Sequence, residues 1–211
     1  MKKKYLIILG LFATIWLPAL ADLFYWNKLP EKLPTHFNAQ MVPDSWSSKA
    51  VAVLTLPVIL TLAQGLILYL ADKNSKKYYV QNGIVYTILT IMPILSIWLN
   101  FIMISTALNN NVNRFKQPML SLLFGIILII LGVVLKYVKT NPIFGIRLPW
   151  TMSSEKNWRL TNNLGSKVFI VGGIIEFIGA MFSSLLLAIF ILAIIITIPV
   201  IYSYILYRKG I

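Results

Sequence analysis

Four places in this chain carry side chains able to do chemistry. The richest is the stretch 139–162, in which Asn141-Pro142, Gly145-Ile146-Arg147 and Pro149-Trp150-Thr151 are followed by Ser153, Glu155 and Trp158. Two prolines and a glycine forbid a regular helix up to Trp150. Ser153 then reads as an N-cap, with Glu155 in the first turn facing the helix dipole. A short amphipathic helix should follow, placing Trp158 and Leu160 near Thr161 and Leu164. Trp150 and Trp158 suit the membrane interface, where an amphipathic ring keeps one edge wet. Two readings stay open. The stretch is a well-capped interfacial connector, or it is a binding element whose turn holds Arg147 towards an anion, a carboxylate or a helix C-terminus.

The other three places are single ionisable groups. Asp22 and Glu176 interrupt apolar runs. Asp22 falls near a span end, where interfacial water can solvate it, whereas Glu176 lies about ten residues into a span, where an ionised acid costs roughly 2.5–3.5 kcal/mol. Glu176 is therefore a structural polar tie or a functional acid. His36, the sole histidine, stands in Leu29-Pro30 through Asn38; it is a surface histidine or a pH-sensing group. Pro30 and Pro34 favour extended backbone there, and the alternation Leu33, Thr35, Phe37 suits a short strand or a folded cap. With no cysteine, disulfides and thiolate chemistry are excluded, and one histidine cannot make a multi-histidine zinc site. No paired carboxylates or Ser/His pair occur within the apolar runs, so neither catalytic residues nor a metal or cofactor is expected.

These residues need elements to position them. Only 12% of the 211 residues are charged, 58% are hydrophobic, and mean hydropathy is +0.80. Soluble domains carry about 25% charged residues, and here long apolar stretches alternate with short polar ones. That is the pattern of a chain solvated by lipid. Six segments reach the roughly 20 residues that cross the hydrocarbon core. They run from Tyr5 to Tyr25, Ala50 to Ala71, Val80 to Leu108, Pro118 to Val138, Asn163 to Phe182 and Leu185 to Tyr207. The fold class is an all-α membrane protein of six transmembrane helices. Ser183 and Ser184 predict a tight hairpin between the last two. Gly172, Glu176 and Gly179 share one helical face that Gly165 continues, and Gly125 and Gly132 repeat the same seven-residue spacing. The fourth and fifth helices are therefore expected to pack closely through small residues, near Gly132 and Gly172, with Glu176 turned inward. Pro18 and Pro57 could kink helices and open a cavity.

Charge sets the orientation. Net charge is +13, from 19 Lys and Arg against 6 Asp and Glu. With the N-terminus inside, fourteen of the basic residues fall on the inner side. They lie at Lys2–Lys4, in the 72–78 connection, across 136–167 and at Arg208–Lys209. Five, Lys28, Lys32, Lys49, Arg114 and Lys116, fall outside. Basic residues concentrate on the cytoplasmic side, so both termini and the 139–162 loop are expected there. The excess charge reads as topogenic, with attraction to anionic lipid as a second use; no basic helix or aromatic–basic module suggests nucleic acid. A cleavable signal peptide ending near Ala19-Leu20-Ala21 is the rival reading of the first span, whose apolar run exceeds the 7–15 residues of a signal core. The expected division is an N-terminal helix pair, 1–71, with an extracellular loop at 26–49, and a four-helix region, 72–211, holding the loop 139–162.

The run Asn141-Pro142, Gly145-Ile146-Arg147, Pro149-Trp150-Thr151, Glu155, Trp158, Arg159, Asn162 and Lys167 resembles the signature of the SdpI family of bacterial immunity and signalling membrane proteins. Leu29-Pro30 through Pro34 and His36-Phe37-Asn38 resemble a small N-terminal domain of unknown function that often precedes that signature. One departure is Leu148, where family members commonly show threonine. The resemblance implies six helices, a plasma-membrane location, immunity to a secreted membrane-active peptide toxin, and recruitment of a cytoplasmic transcriptional repressor. It marks Asn141, Pro142, Gly145, Arg147, Pro149, Trp150, Trp158 and Asn162 as candidate ligand- or partner-binding residues. A small proton-coupled transporter, using Glu176 and Asp22, is the alternative from another class. An intramembrane enzyme ranks last.

Overall fold

The computed structural model describes the chain except residues 1, 39, 79–81, 109–112 and 183–184, and the side chains of 2–3, 74–78, 82, 113–117 and 185. The hairpin expected at Ser183-Ser184 lies outside the described residues. The helices are α1 (Lys2–Phe24), α2 (Lys49–Tyr78), α3 (Asn82–Leu89), α4 (Ile91–Leu108), α5 (Asn113–Tyr137), α6 (Pro149–Ser153), α7 (Glu155–Gly179) and α8 (Leu185–Arg208). A strand pair, β1 (Lys32–Phe37) and β2 (Pro43–Ser48), stands between α1 and α2. Among the described residues, six helical stretches are long and apolar enough to span a membrane, as the sequence predicts.

Two boundaries differ from expectation. The third span is interrupted at Thr90, between α3 and α4. Pro93 explains the break: it donates no backbone N–H to Leu89, and its ring crowds that carbonyl. The fifth span begins at Glu155 rather than Asn163, so the short amphipathic helix and the membrane helix are one continuous α7. Pro18 and Pro57 lie within helices that stay continuous past them.

The chain divides into two compact units. The first comprises residues 1–67 and 89–119. In it α1 and α4 run parallel, since Ser96 Oγ donates to Ile15 O at 2.6 Å and Asn100 Nδ2 donates to Asp22 Oδ2 at 2.6 Å, both contacts advancing in the same direction. Trp16 Nε1 ties α1 to Thr61 Oγ1 of α2 at 3.0 Å. The strands pair antiparallel. Their turn is organised by Asn38, whose Oδ1 accepts from Gln40 N and Val42 N, both at 3.0 Å. Register irregularities beside His36 break the expected alternation, so Leu33 and Pro34 are both buried. Leu33 packs with Leu29, Ala19, Ala52, Val53 and Met103. This is why a Pro-rich segment becomes a folded cap: two leucines pin it to the helices.

The second unit comprises residues 68–88 and 120–211. Its helices pack through glycine. A Cβ on Gly125 would come within 2.7 Å of Gly173 O, and one on Gly132 within 3.0 Å of Ser166 O and Ile170 N. These contacts make α5 and α7 antiparallel neighbours at backbone distance, as expected. The glycine that faces α5 is Gly173, against Gly125, while Gly132 meets Ser166 and Ile170. Gly172, named at this contact from its spacing, faces Ile191 and Ile195 of α8 instead. The pair of adjacent glycines lets one helix meet two neighbours, and heptad spacing alone cannot tell which glycine serves which.

Candidate functional site

The second unit holds most of the residues singled out above, at the loop between α5 and α7. Asn141 builds the first turn. Its Oδ1 accepts from Ile143 N and Phe144 N, both at 2.8 Å, and its Nδ2 donates to Lys139 O and Phe144 O at 2.7 and 3.1 Å. Every hydrogen-bonding capacity of the side chain is spent, which is how a buried amide tolerates burial. Pro142 follows within that turn, its ring fixing φ there.

Gly145 has φ +117°, a conformation that favours glycine. A Cβ there would also lie 2.7 Å from the Trp158 ring. The loop therefore folds onto Trp158, the largest fully buried side chain, whose Nε1 donates to Val138 O at 3.0 Å. Asn162 closes the fold from α7: its Oδ1 accepts from Ile146 N at 2.8 Å, and its Nδ2 donates to Trp158 O at 3.0 Å. The interfacial role expected for Trp158 is thus corrected. Its ring is the loop's core, reached because α7 begins early enough to bring it under Gly145.

Ser154, not Ser153, caps α7, accepting from Asn157 N at 3.2 Å. Ser153 belongs to α6, which Pro149 opens, so the backbone is already helical at Trp150. Proline is tolerated at a first helical position, where its missing N–H costs nothing. Leu148 occupies the N-cap of α6 and offers no cap oxygen; Thr151 Oγ1 accepts from Leu148 N at 2.8 Å and donates towards Ile146 O at 2.9 Å. Trp150 is half-buried. Its Nε1 donates to Ser203 Oγ at 2.9 Å, and its ring lies 5.6 Å from Tyr204 and 6.0 Å from Tyr207, centroid to centroid.

What remains on the surface is Arg147 and Pro149. The guanidinium makes one long bond, Nη1 to Ile143 O at 3.2 Å, within its own loop. So of the eight candidates, Asn141, Gly145, Trp158 and Asn162 interlock, Trp150 anchors to α8, Pro142 shapes a turn, and Arg147 and Pro149 face outward.

Sequence reasoning missed three members of this polar core. Asn157 Nδ2 donates to Ser203 O at 3.0 Å and Ile211 O at 3.1 Å, and Asn157 Oδ1 accepts from Thr161 Oγ1 at 2.9 Å. Asn157, Thr161 and Ser203 are all fully buried. The available signal was Asn157 and Thr161 at i, i+4, one turn along the face that Gly165 and Gly172 continue; in a membrane helix such a face turns inward.

Glu176 is buried as expected, between helices, with Ser121 as its side-chain partner and Oε2 otherwise unpartnered. In the first unit Asp22 is 6% exposed and bound to Asn100, so interfacial water is not what satisfies it. His36 Nδ1 meets Asp44 Oδ1 on the exposed strand pair. Among the described residues no group of three His, Cys, Asp or Glu could hold a metal ion.

Comparison with known proteins agrees with this picture. The SdpI/YfhL protein family matches residues 137–203, which begin at the end of α5 and take in the whole interlocked loop, and DUF1648, a domain of unknown function, matches residues 13–61. The chain is 26% identical, over 212 residues covering 99% of it and 98% of the relative, to the Immunity protein SdpI of Bacillus subtilis (strain 168). No solved structure matches. Residues 137–203 are thus similar to the SdpI/YfhL family and residues 13–61 to DUF1648, as the loop residues and the segment Leu29 to Asn38 implied.

Proposed function

We propose that this protein is a non-enzymatic immunity protein of the bacterial plasma membrane, protecting its cell against a secreted membrane-active peptide. The observation that carries this reading is the end-to-end likeness to an immunity protein, across nearly all of both chains. The geometry supports it with a recognition element. A loop with its backbone held by Asn141 and Asn162 presents Arg147 outward with its fork of donors nearly unused. Such a guanidinium suits a carboxylate on a peptide or partner protein. By the charge count this loop is cytoplasmic, so its partner there would be a protein such as a transcriptional repressor, while the peptide is met in or across the bilayer.

The test is survival of a sensitive Gram-positive host, expressing the chain, under challenge with secreted peptide toxins. Protection is expected; unchanged killing by every toxin, at verified membrane levels, would overturn it. A proton-coupled transporter is the second reading, favoured by the buried Glu176 with one oxygen unpartnered. Glu176→Gln separates the two: export driven by protons would collapse, whereas a merely structural tie to Ser121 survives amide replacement.

A further inference from the structure

In the second unit, α7 and α8 leave a groove between them on their outer side. Its volume is ≈ 260 Å³, and Lys167, Val171 and Ile175 of α7 line it with Ile191, Ile194 and Ile198 of α8. The two helices are antiparallel: Gly179 meets Leu187, and Gly172 meets Ile191 and Ile195. In that register Lys167 and Ile198 mark one end of the groove, and Ile175 and Ile191 lie about 12 Å deeper, at 1.5 Å per residue.

The apolar part is uniform, and the charge lies at one end. Lys156 precedes Lys167 by eleven residues, three helical turns, and so shares its face; Lys209 follows Ile198 by eleven, one residue past the end of α8, with its N–H still bonded to Ile205 O at 3.2 Å. The bonds of Asn157 to Ser203 and Ile211 bring Lys156 level with Lys209. All three lysines are exposed, and none pairs with an acidic side chain among the described residues. The depth fits as well. The spanning stretch of α7 has 28 residues against about 20 needed, so its first turns stand beyond the hydrocarbon. Counted back from Phe182, Lys167 falls just inside the boundary, from which an ammonium can reach the headgroups.

From this arrangement we infer that the α7–α8 groove binds an anionic phospholipid, its phosphate at Lys167 with Lys156 and Lys209 above, and one acyl chain running down between Val171, Ile175, Ile191 and Ile194. Charge complementarity selects the occupant. A purely apolar groove would take any lipid, but unpaired Lys167 at its end, with Lys156 and Lys209 about 16 Å further out at 1.5 Å per residue, favours a net negative one.

Native mass spectrometry of the full chain, exchanged against equal amounts of phosphatidylglycerol and phosphatidylcholine with matched chains, tests this. The wild type should retain phosphatidylglycerol preferentially. Lys167→Gln, at an exposed position that leaves folding intact, should reduce that preference about fivefold, from roughly 1 kcal/mol per basic residue near the surface. Ile194→Trp, which fills the groove and leaves the lysines, should abolish retention. Lys136→Gln, an exposed cation at the end of α5, should change nothing. Equal retention of the two lipids, an equal loss with Lys136→Gln, or displacement by glycerol phosphate without chains would overturn the inference. So would an oligomer of the wild type that Ile194→Trp splits, since a second copy would then cover the groove.

Discussion

Arg147 is the residue at which the connector and recognition readings part. An exposed arginine with one long hydrogen bond contributes little to stability, so Arg147→Ala should leave the membrane level of the protein near normal. If the loop recognises a partner, the same change removes a planar set of donors, and protection should be lost; Arg147→Lys should restore it only in part, since it supplies charge without the fork. Toxin survival beside a membrane immunoblot reads both, and full survival of Arg147→Ala at matched levels would make the loop a connector. Trp150→Ala is a different experiment. Its ring is bonded to Ser203, meets Tyr204 edge-on and stacks on Tyr207, so the truncation should lower the protein level as well as activity; the half-buried ring should cost less than the roughly 3–5 kcal/mol of a fully buried aromatic. Gly145→Ala should be more damaging than its single methyl suggests. It forces an L-residue to φ +117° and drives Cβ into the Trp158 ring. Strain of this kind costs about 1–3 kcal/mol, and a clear fall in thermal stability of the purified protein is the expected result.

Secondary elements carry the information that hydropathy alone could give, and the limits of that reading have physical causes. Six spans were legible because lipid demands about 20 apolar residues of every crossing helix, whatever else it does. Glu176 facing inward was legible for the same reason: a carboxylate cannot face lipid cheaply. Helix ends were less so. Ser153 and Ser154 are equally good caps by type, and only the bond to Asn157 N decides between them. Trp158 was misread because its residue type suits an interface; what buries it is tertiary, the arrival of Gly145 over its ring. Asp22 was misread likewise, since Asn100 is distant in sequence and nothing local points to it. The glycine pair shows the same limit and yields a test. Gly173→Leu should destabilise through overpacking against α5, where backbone atoms of Gly125 and Ile129 cannot retreat, at a cost of about 1–3 kcal/mol. Gly65→Ala, with nothing within 4 Å of the new Cβ, should be neutral or slightly stabilising. Thermal unfolding of the two variants in one detergent compares them directly, and equal behaviour would remove the close-packing argument.

At the scale of the whole molecule the open quantity is its orientation, and the physics that sets it is a charge asymmetry. Fourteen basic residues against five favour the side that carries Lys2–Lys4, the 139–162 loop and Arg208–Lys209 as cytoplasmic. The packing agrees with alternating crossings. The first and third spans run parallel through Ser96 and Asn100, while the fourth and fifth, and the fifth and sixth, run antiparallel. Three spans separate 26–49 from 139–162 in the sequence, so by the charge count the strand pair is expected outside and the loop inside. The chain has no cysteine, so one introduced thiol reports one position without background. Ser153 and Ser45 are exposed, and each becomes cysteine with the exchange of a single oxygen for sulfur. In intact cells an impermeant maleimide should label Ser45→Cys, on the second strand, and spare Ser153→Cys, at the end of α6. Opening the membrane should expose the second. Labelling of Ser153→Cys in intact cells would invert the molecule. It would also move Arg147 to the side from which a secreted peptide arrives, turning the proposed partner of the loop from a cytoplasmic protein into the toxin itself.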